Sequence, residues 1–124
     1  MKVVVKLIQY LLGIYFLFVG VLHFLLPEGM PAPMIWMYDL SPNLHWFSGT
    51  AEIAASLTLL LGGHIKALKA LVPYAATGLL LLMVGAIVWH SGRGETSNMI
   101  QNAVFALASA FVAYGRWRIV PYEK

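Results

Sequence analysis

Four apolar runs divide the chain. The first goes from about Val3 to Leu26, is broken only by Lys6 and Gln9, and ends at Pro27. The second, about Leu44 to Gly62, follows Pro42-Asn43 and stops at Gly62-Gly63. The third, about Leu68 to His90, runs into Ser91-Gly92-Arg93-Gly94. Pro73 falls in its first turn or two, where proline is tolerated best. The fourth, about Asn98 to Tyr114, is the shortest; Thr96 or Ser97 can cap it, and it can extend through Arg116-Trp117. About 20 helical residues cross a hydrocarbon core of about 30 Å. The pattern therefore predicts an all-α chain, a four-helix transmembrane bundle with spans 3–26, 44–62, 68–90 and 98–114 in a single domain over 1–124. A signal peptide is the alternative for the first run, because Met1-Lys2 resembles a short n-region. The run is longer than a typical h-region, and no small-x-small site follows it.

Composition agrees. Of 124 residues, 60% are hydrophobic and 10% charged, against about 25% charged in a soluble domain. That is too little polar surface to cover a core in water. The net charge is +3, but the basic residues lie between apolar runs and form no face for nucleic acid. Cysteine is absent, which excludes disulfide exchange, thiolate ligation and cysteine nucleophiles for this chain acting alone.

Charge placement predicts orientation. Lys2, Lys6, Lys66, Lys69, Arg116, Arg118 and Lys124 fall on one side, and Arg93 alone on the other, with Glu28, Asp39 and Glu95. Cytoplasmic loops carry the Lys and Arg excess. The expectation is a multi-pass cell-membrane protein with both termini cytoplasmic. Trp46, Trp89 and Trp117 fit an interfacial belt. The outward 27–44 loop carries four prolines and the apolar stretch Met34-Ile35-Trp36-Met37-Tyr38. It reads either as a segment lying in the headgroup region or as a lid for an apolar ligand.

Glu52 is the one acidic residue inside a predicted span. A charged side chain at mid-bilayer costs at least about 2.5–3.5 kcal/mol, so something must offset it. Seven residues past His45, it lies roughly 10 Å below the outer end of its helix. His45, Ser48, Gly49, Glu52 and Ser56 follow steps of three and four and share a face. The first helix has a stripe of Tyr10, Gly13, Gly20 and His23, the third Gly78, Gly85 and Gly92, and the fourth Asn98, Asn102, Phe105 and Ser109. Facing stripes would bring Glu52 to His23 or Asn102. Three readings stay open: a hydrogen-bonded cluster locking the bundle, a proton-handling or ligand-anchoring site, and a metal or haem site. Haem would need paired histidines. His23 and His90 are both near the outer face, but lone histidines at helix ends are more often interfacial hydrogen-bonders. His64 looks solvated. No metal-ligand motif is present, and Gly92-Arg93-Gly94 is not a phosphate loop.

The string Gly20-Val21-Leu22-His23-Phe24, then Pro27, a proline-rich loop, Ser48-Gly49-Thr50-Ala51-Glu52-Ile53 and Leu57-Thr58-Leu59-Leu60-Leu61 resembles the DoxX and DoxX-like membrane proteins. The match covers the first half best. The resemblance implies a four-helix membrane bundle and a link to quinone chemistry, oxidative stress or assembly of membrane partners. His23, Gly49 and Glu52 match its motif. Related bundles that exchange disulfides with quinones use cysteines, which this chain lacks.

The expected function is a quinone-linked membrane redox or stress-response component, an oxidoreductase subunit in kind. Quinone is the cofactor the resemblance suggests, and a membrane or soluble partner would deliver electrons. Glu52 and His23 are the candidate proton-handling or ligand-anchoring pair, with His45, Ser48, Gly49 and Asn102 as candidate ligand contacts and no metal. The alternatives are a non-enzymatic accessory or assembly subunit and a binder of an apolar small molecule. The bilayer is the expected surrounding, and a homo-oligomer is open.

Overall fold

The computed structural model describes residues 1–122; Lys124, counted above with the basic tail, lies outside them. Among the described residues every regular element is helical. The order is α1 (Lys2–Leu25), a 3-10 stretch (Ala32–Asp39), α2 (Pro42–Leu61), the single turn α3 (Lys66–Lys69), α4 (Val72–Ser91), α5 (Thr96–Tyr114) and a π-helical turn (Gly115–Ile119).

Local chemistry sets most boundaries. α1 stops at Leu26, whose N–H bonds Leu22 O, directly before Pro27. Ser41 caps α2, its side chain accepting from Leu44 N–H at 3.3 Å, and Pro42 follows at the first helical position. The expected cap of α5 by Thr96 or Ser97 is not made. The helix starts at Thr96, and Glu95 at its cap position makes no capping bond, because its carboxylate binds Arg93 and His90.

The third run departs from expectation. It is not one helix over 68–90 but α3 and then α4. A helix continuing from Leu68 would need an N–H at residue 73 to bond the carbonyl of Lys69. Pro73 has none, and its ring would strike that carbonyl. At the start of α4 the missing donor costs nothing. The tail does continue past Tyr114, as expected, in the π-helical turn.

The four long helices form a closed ring. α1 packs on α2 and α5, and α4 packs on α2 and α5; the α1–α2 and α4–α5 contacts are the most extensive. Leu12, Phe16, Leu59, Ala76, Leu79 and Val112 build the main core. Val19, Leu22 and Met37 form a smaller cluster under the 3-10 stretch.

Apolar side chains also face outward. On α1, Leu7, Leu11, Ile14, Phe18, Val21 and Leu25 are all exposed at steps of three and four. Leu81, Val84 and Val88 on α4 and Ile100, Val104 and Leu107 on α5 do the same. Continuous apolar faces of this kind are stable against apolar surroundings, not water. Two helices, α1 and α4, are by length and composition apolar enough to cross a membrane.

At the end carrying the N-terminus and tail, Gln9 is fully buried and ties three segments together. Its amide donates to Leu59 O at 2.7 Å and to Tyr122 Oη at 3.1 Å. Its carbonyl accepts from Arg116 Nε at 2.7 Å. The buried Arg116 guanidinium also lies over the Tyr122 ring, 3.9 Å from its centre.

Candidate functional site

The site begins with two glycines. Gly20 of α1 and Gly49 of α2 let the backbones touch: a Cβ on Gly20 would lie 3.2 Å from Gly49 O, and one on Gly49 would lie 3.1 Å from Gly20 O. Side chains one turn away on either helix are thereby brought together. His23 of α1 meets His45 and Glu52 of α2, all three buried.

The three form a chain. His45 Nε2 lies 2.8 Å from Met37 O. His45 Nδ1 lies 2.8 Å from His23 Nδ1. His23 Nε2 lies 3.6 Å from Glu52 Oε1. A carbonyl can only accept, so His45 Nε2 carries a hydrogen. One more hydrogen must lie between the two Nδ1 atoms. If both imidazoles are neutral, His23 then turns a bare Nε2 toward Glu52 at 3.6 Å, too far for a hydrogen bond, and a neutral Glu52 carries the third hydrogen on either oxygen. Three hydrogens over two imidazoles and one carboxyl give zero net charge wherever each proton sits. A buried cluster in low dielectric is stable in that form.

Glu52 Oε2 is buried and has no hydrogen-bond partner among the described residues. Glu52 and His23 line a cavity of about 570 Å³ between the helices, while His45 and Gly49 stand behind that wall. Ser48 and Asn102 line it too, and so do Tyr15, Phe105 and Trp36. The structure thus brings Glu52 to His23 directly and sets Asn102 on the same cavity, with no hydrogen bond between Asn102 and Glu52. Ser56, one turn below Glu52, is buried with an unpartnered Oγ.

The 27–44 loop covers the end of the cavity opposite the N-terminus and tail. Pro33, Met34, Trp36 and Leu40 line it from above. Asn98 Nδ2 donates to Pro33 O at 2.9 Å, and Tyr38 Oη donates to Pro27 O. Arg93 bonds Asp39 Oδ2 at 2.7 Å and Glu95 Oε1 at 2.8 Å, and its guanidinium covers Trp89. The Arg93 guanidinium, followed by His90, holds the Glu95 carboxyl below its ordinary range.

Residue reading weighed His90 only as half of a haem pair and Trp36 only as part of the loop, and named neither as a ligand contact. His90 is buried, lines the cavity, and bonds Glu95 through Nδ1 at 2.8 Å. The Trp36 ring lies between the two histidines, 5.0 Å from His90 and 6.1 Å from His23. The signal for His90 was Glu95, five residues on across a glycine turn. Trp36 stood in the apolar stretch of the loop.

Outward apolar faces, two membrane-compatible helices and a buried polar chain on an apolar cavity define a small helical membrane protein with an internal site. The sequence signature of the DoxX-like family matches residues 7–112, most of the chain, and the protein belongs to that family. No match was found among curated proteins or among solved structures.

Proposed function

We propose that the chain is one domain of four membrane-spanning helices with both termini cytoplasmic, and that it serves as a quinone-linked component of the membrane acting with a partner that supplies electrons. The outward apolar stripes of α1, α4 and α5 support the spans. α2 and α5 are less apolar because their inner faces carry Ser48, Glu52, Asn98 and Asn102. The grouping of Lys2, Lys6, Lys66, Lys69, Arg116 and Arg118 away from Asp39, Arg93 and Glu95 supports the orientation.

One observation carries the functional reading: a buried carboxyl, with one oxygen near His23 and the other unpartnered, on the wall of an apolar cavity. A quinone fits this donor set. Glu52 would bond its head, with Ser48 and Asn102 as further polar contacts and Trp36, Tyr15 and Phe105 as flat apolar walls. When bound, a quinone supplies two-electron, two-proton redox chemistry. The chain's own residues orient the head, exclude water under the 27–44 loop, and hold one proton on Glu52 beside His23 Nε2. His45 fixes the histidine tautomer from behind.

The test is decylubiquinone binding to purified protein in lipid nanodiscs, together with quinol turnover in membranes. Wild type is expected to bind, and Glu52→Gln to bind at least about tenfold more weakly, a change of about 1.4 kcal/mol. Unchanged binding and turnover in Glu52→Gln would remove the proposal. The reading as a binder of an apolar small molecule, without redox work, is favoured by the mostly apolar lining. In that case binding occurs and turnover is unaffected.

A further inference from the structure

The cavity has two unequal side walls. Where α1 meets α5, Tyr15 stacks on Phe105 at 4.4 Å between ring centres, and Phe16 meets Phe105 edge-on at 5.4 Å. Those rings close that seam. Where α2 meets α4, the lining residues include Ala51, Gly78, Gly85 and Ala86. A Cβ placed on Gly78 or Gly85 would meet no atom within 4 Å. Phe47 and Leu81, flanking this seam, line the cavity and are still 66% exposed each. Ala51, Gly78 and Leu82 also line an open groove of about 310 Å³ along the same two helices. Inner cavity and outer groove therefore share Ala51, Gly78 and Leu82 in their wall.

The outer end is different. The loop is bonded across it through Asn98–Pro33 and Arg93–Asp39. An approach from water would have to break those bonds, whereas an approach from the acyl-chain region between α2 and α4 breaks none.

The head of an occupant is constrained by charge. No lysine or arginine lines the cavity among the described residues. The His45–His23–Glu52 chain is neutral with its three hydrogens, and His90 is matched by Glu95. An ionic head would be an unmatched charge in an apolar enclosure. A hydroxyl or carbonyl head would instead give the free Glu52 Oε2 its missing partner.

We infer that the α2–α4 seam is a lateral entrance for an uncharged, single-tailed amphiphile from the bilayer, whose hydroxyl or carbonyl head bonds Glu52 and whose tail lies past Gly78 and Gly85. The inference rests on the cavity being a ligand site, as in the proposed function, but not on the ligand being a quinone. Gly78 and Gly85 are then specificity positions: larger side chains there occupy the tail's path without striking the fold.

The test uses the full chain in nanodiscs with two photoreactive probes, hexadecanol and hexadecyl phosphate, each with a mid-chain diazirine. Labelled residues are mapped by mass spectrometry. Hexadecanol is expected to label the segments around Phe47 and Leu81 and to outcompete the phosphate. The double variant Gly78→Leu, Gly85→Leu should melt no lower than wild type, because both positions face open space, and lose labelling about tenfold or more. Equal labelling in the double variant, or equal labelling by the phosphate, overturns the inference. Decylubiquinone separates it from the quinone reading. Seam labelling by hexadecanol that decylubiquinone fails to displace upholds the entrance and removes the quinone. Decylubiquinone binding that is unchanged in the double variant upholds the quinone and removes the entrance.

Discussion

A Cβ added to Gly20 of α1 would sit 2.9 Å from Ile53 Cγ1 and 3.2 Å from Gly49 O, whereas one added to Gly85 of α4 would meet nothing within 4 Å. The two residues look alike as members of glycine stripes at helical spacing. In the fold, Gly13, Gly20 and Gly49 bring α1 and α2 into backbone contact and so set His23 against Glu52. Gly78 and Gly85 leave space beside the cavity. A small residue in a membrane helix can serve close packing or serve absence, and only the facing helix decides which.

Substitution should separate the two sets, most strongly at the α1–α2 contact. Gly20→Leu forces a side chain into Ile53 and the α2 backbone, and overpacking costs about 1–3 kcal/mol or more. Loss of a monodisperse detergent peak and a lowered melting temperature are expected. A wild-type profile would show that the helices separate without cost. Gly85→Ala should have the opposite sign: the space is open and alanine is the better helix former, so a gain of about 0.5–1 kcal/mol in thermal unfolding is expected. The same substitution at Gly20 should lower stability.

A weaker effect is expected at the 27–44 loop that closes the cavity. The Glu95 carboxyl is held below its ordinary range by Arg93 and then His90. A depressed carboxyl contributes its stability in full above the ordinary glutamate pKa of about 4.3 and loses it as pH falls through the lower folded value. Hydrogen exchange of the 3-10 stretch Ala32–Asp39, taken relative to the intrinsic rate at each pH, should therefore be flat at neutral pH and rise below about pH 4.3. Arg93→Ala should raise it already at pH 7. Exchange independent of both would mean that Arg93 does not hold the loop.

The face of α2 was legible because it depends on one helix's period: His45, Gly49, Glu52 and Ser56 are all buried on it. The stripes and the depth of each residue left Glu52 facing His23 or Asn102, and in the fold His23 is the residue beside it. Three features were hidden. The division of the third run turns on Pro73 lying four residues past Lys69, a constraint that a hydropathy pattern does not register. His90 lies off the glycine line of its helix, and its burial comes from the loop folding over it. Gln9 read as a mere interruption of the first run, since its partners lie 50, 107 and 113 residues away.

That last spacing governs the order of assembly. A chain is synthesised from its N-terminal end, so Gln9 is made long before Leu59 exists, and earlier still relative to Arg116 and Tyr122. Its amide must be accommodated by transient partners until the final helix and the turn after it arrive. Contacts this far apart in sequence form late and slow the closing step. Truncation before Arg116 would leave the Gln9 carbonyl without its donor, while α1 kept its packing on α2 and α5 and the bond from Gln9 to Leu59 O.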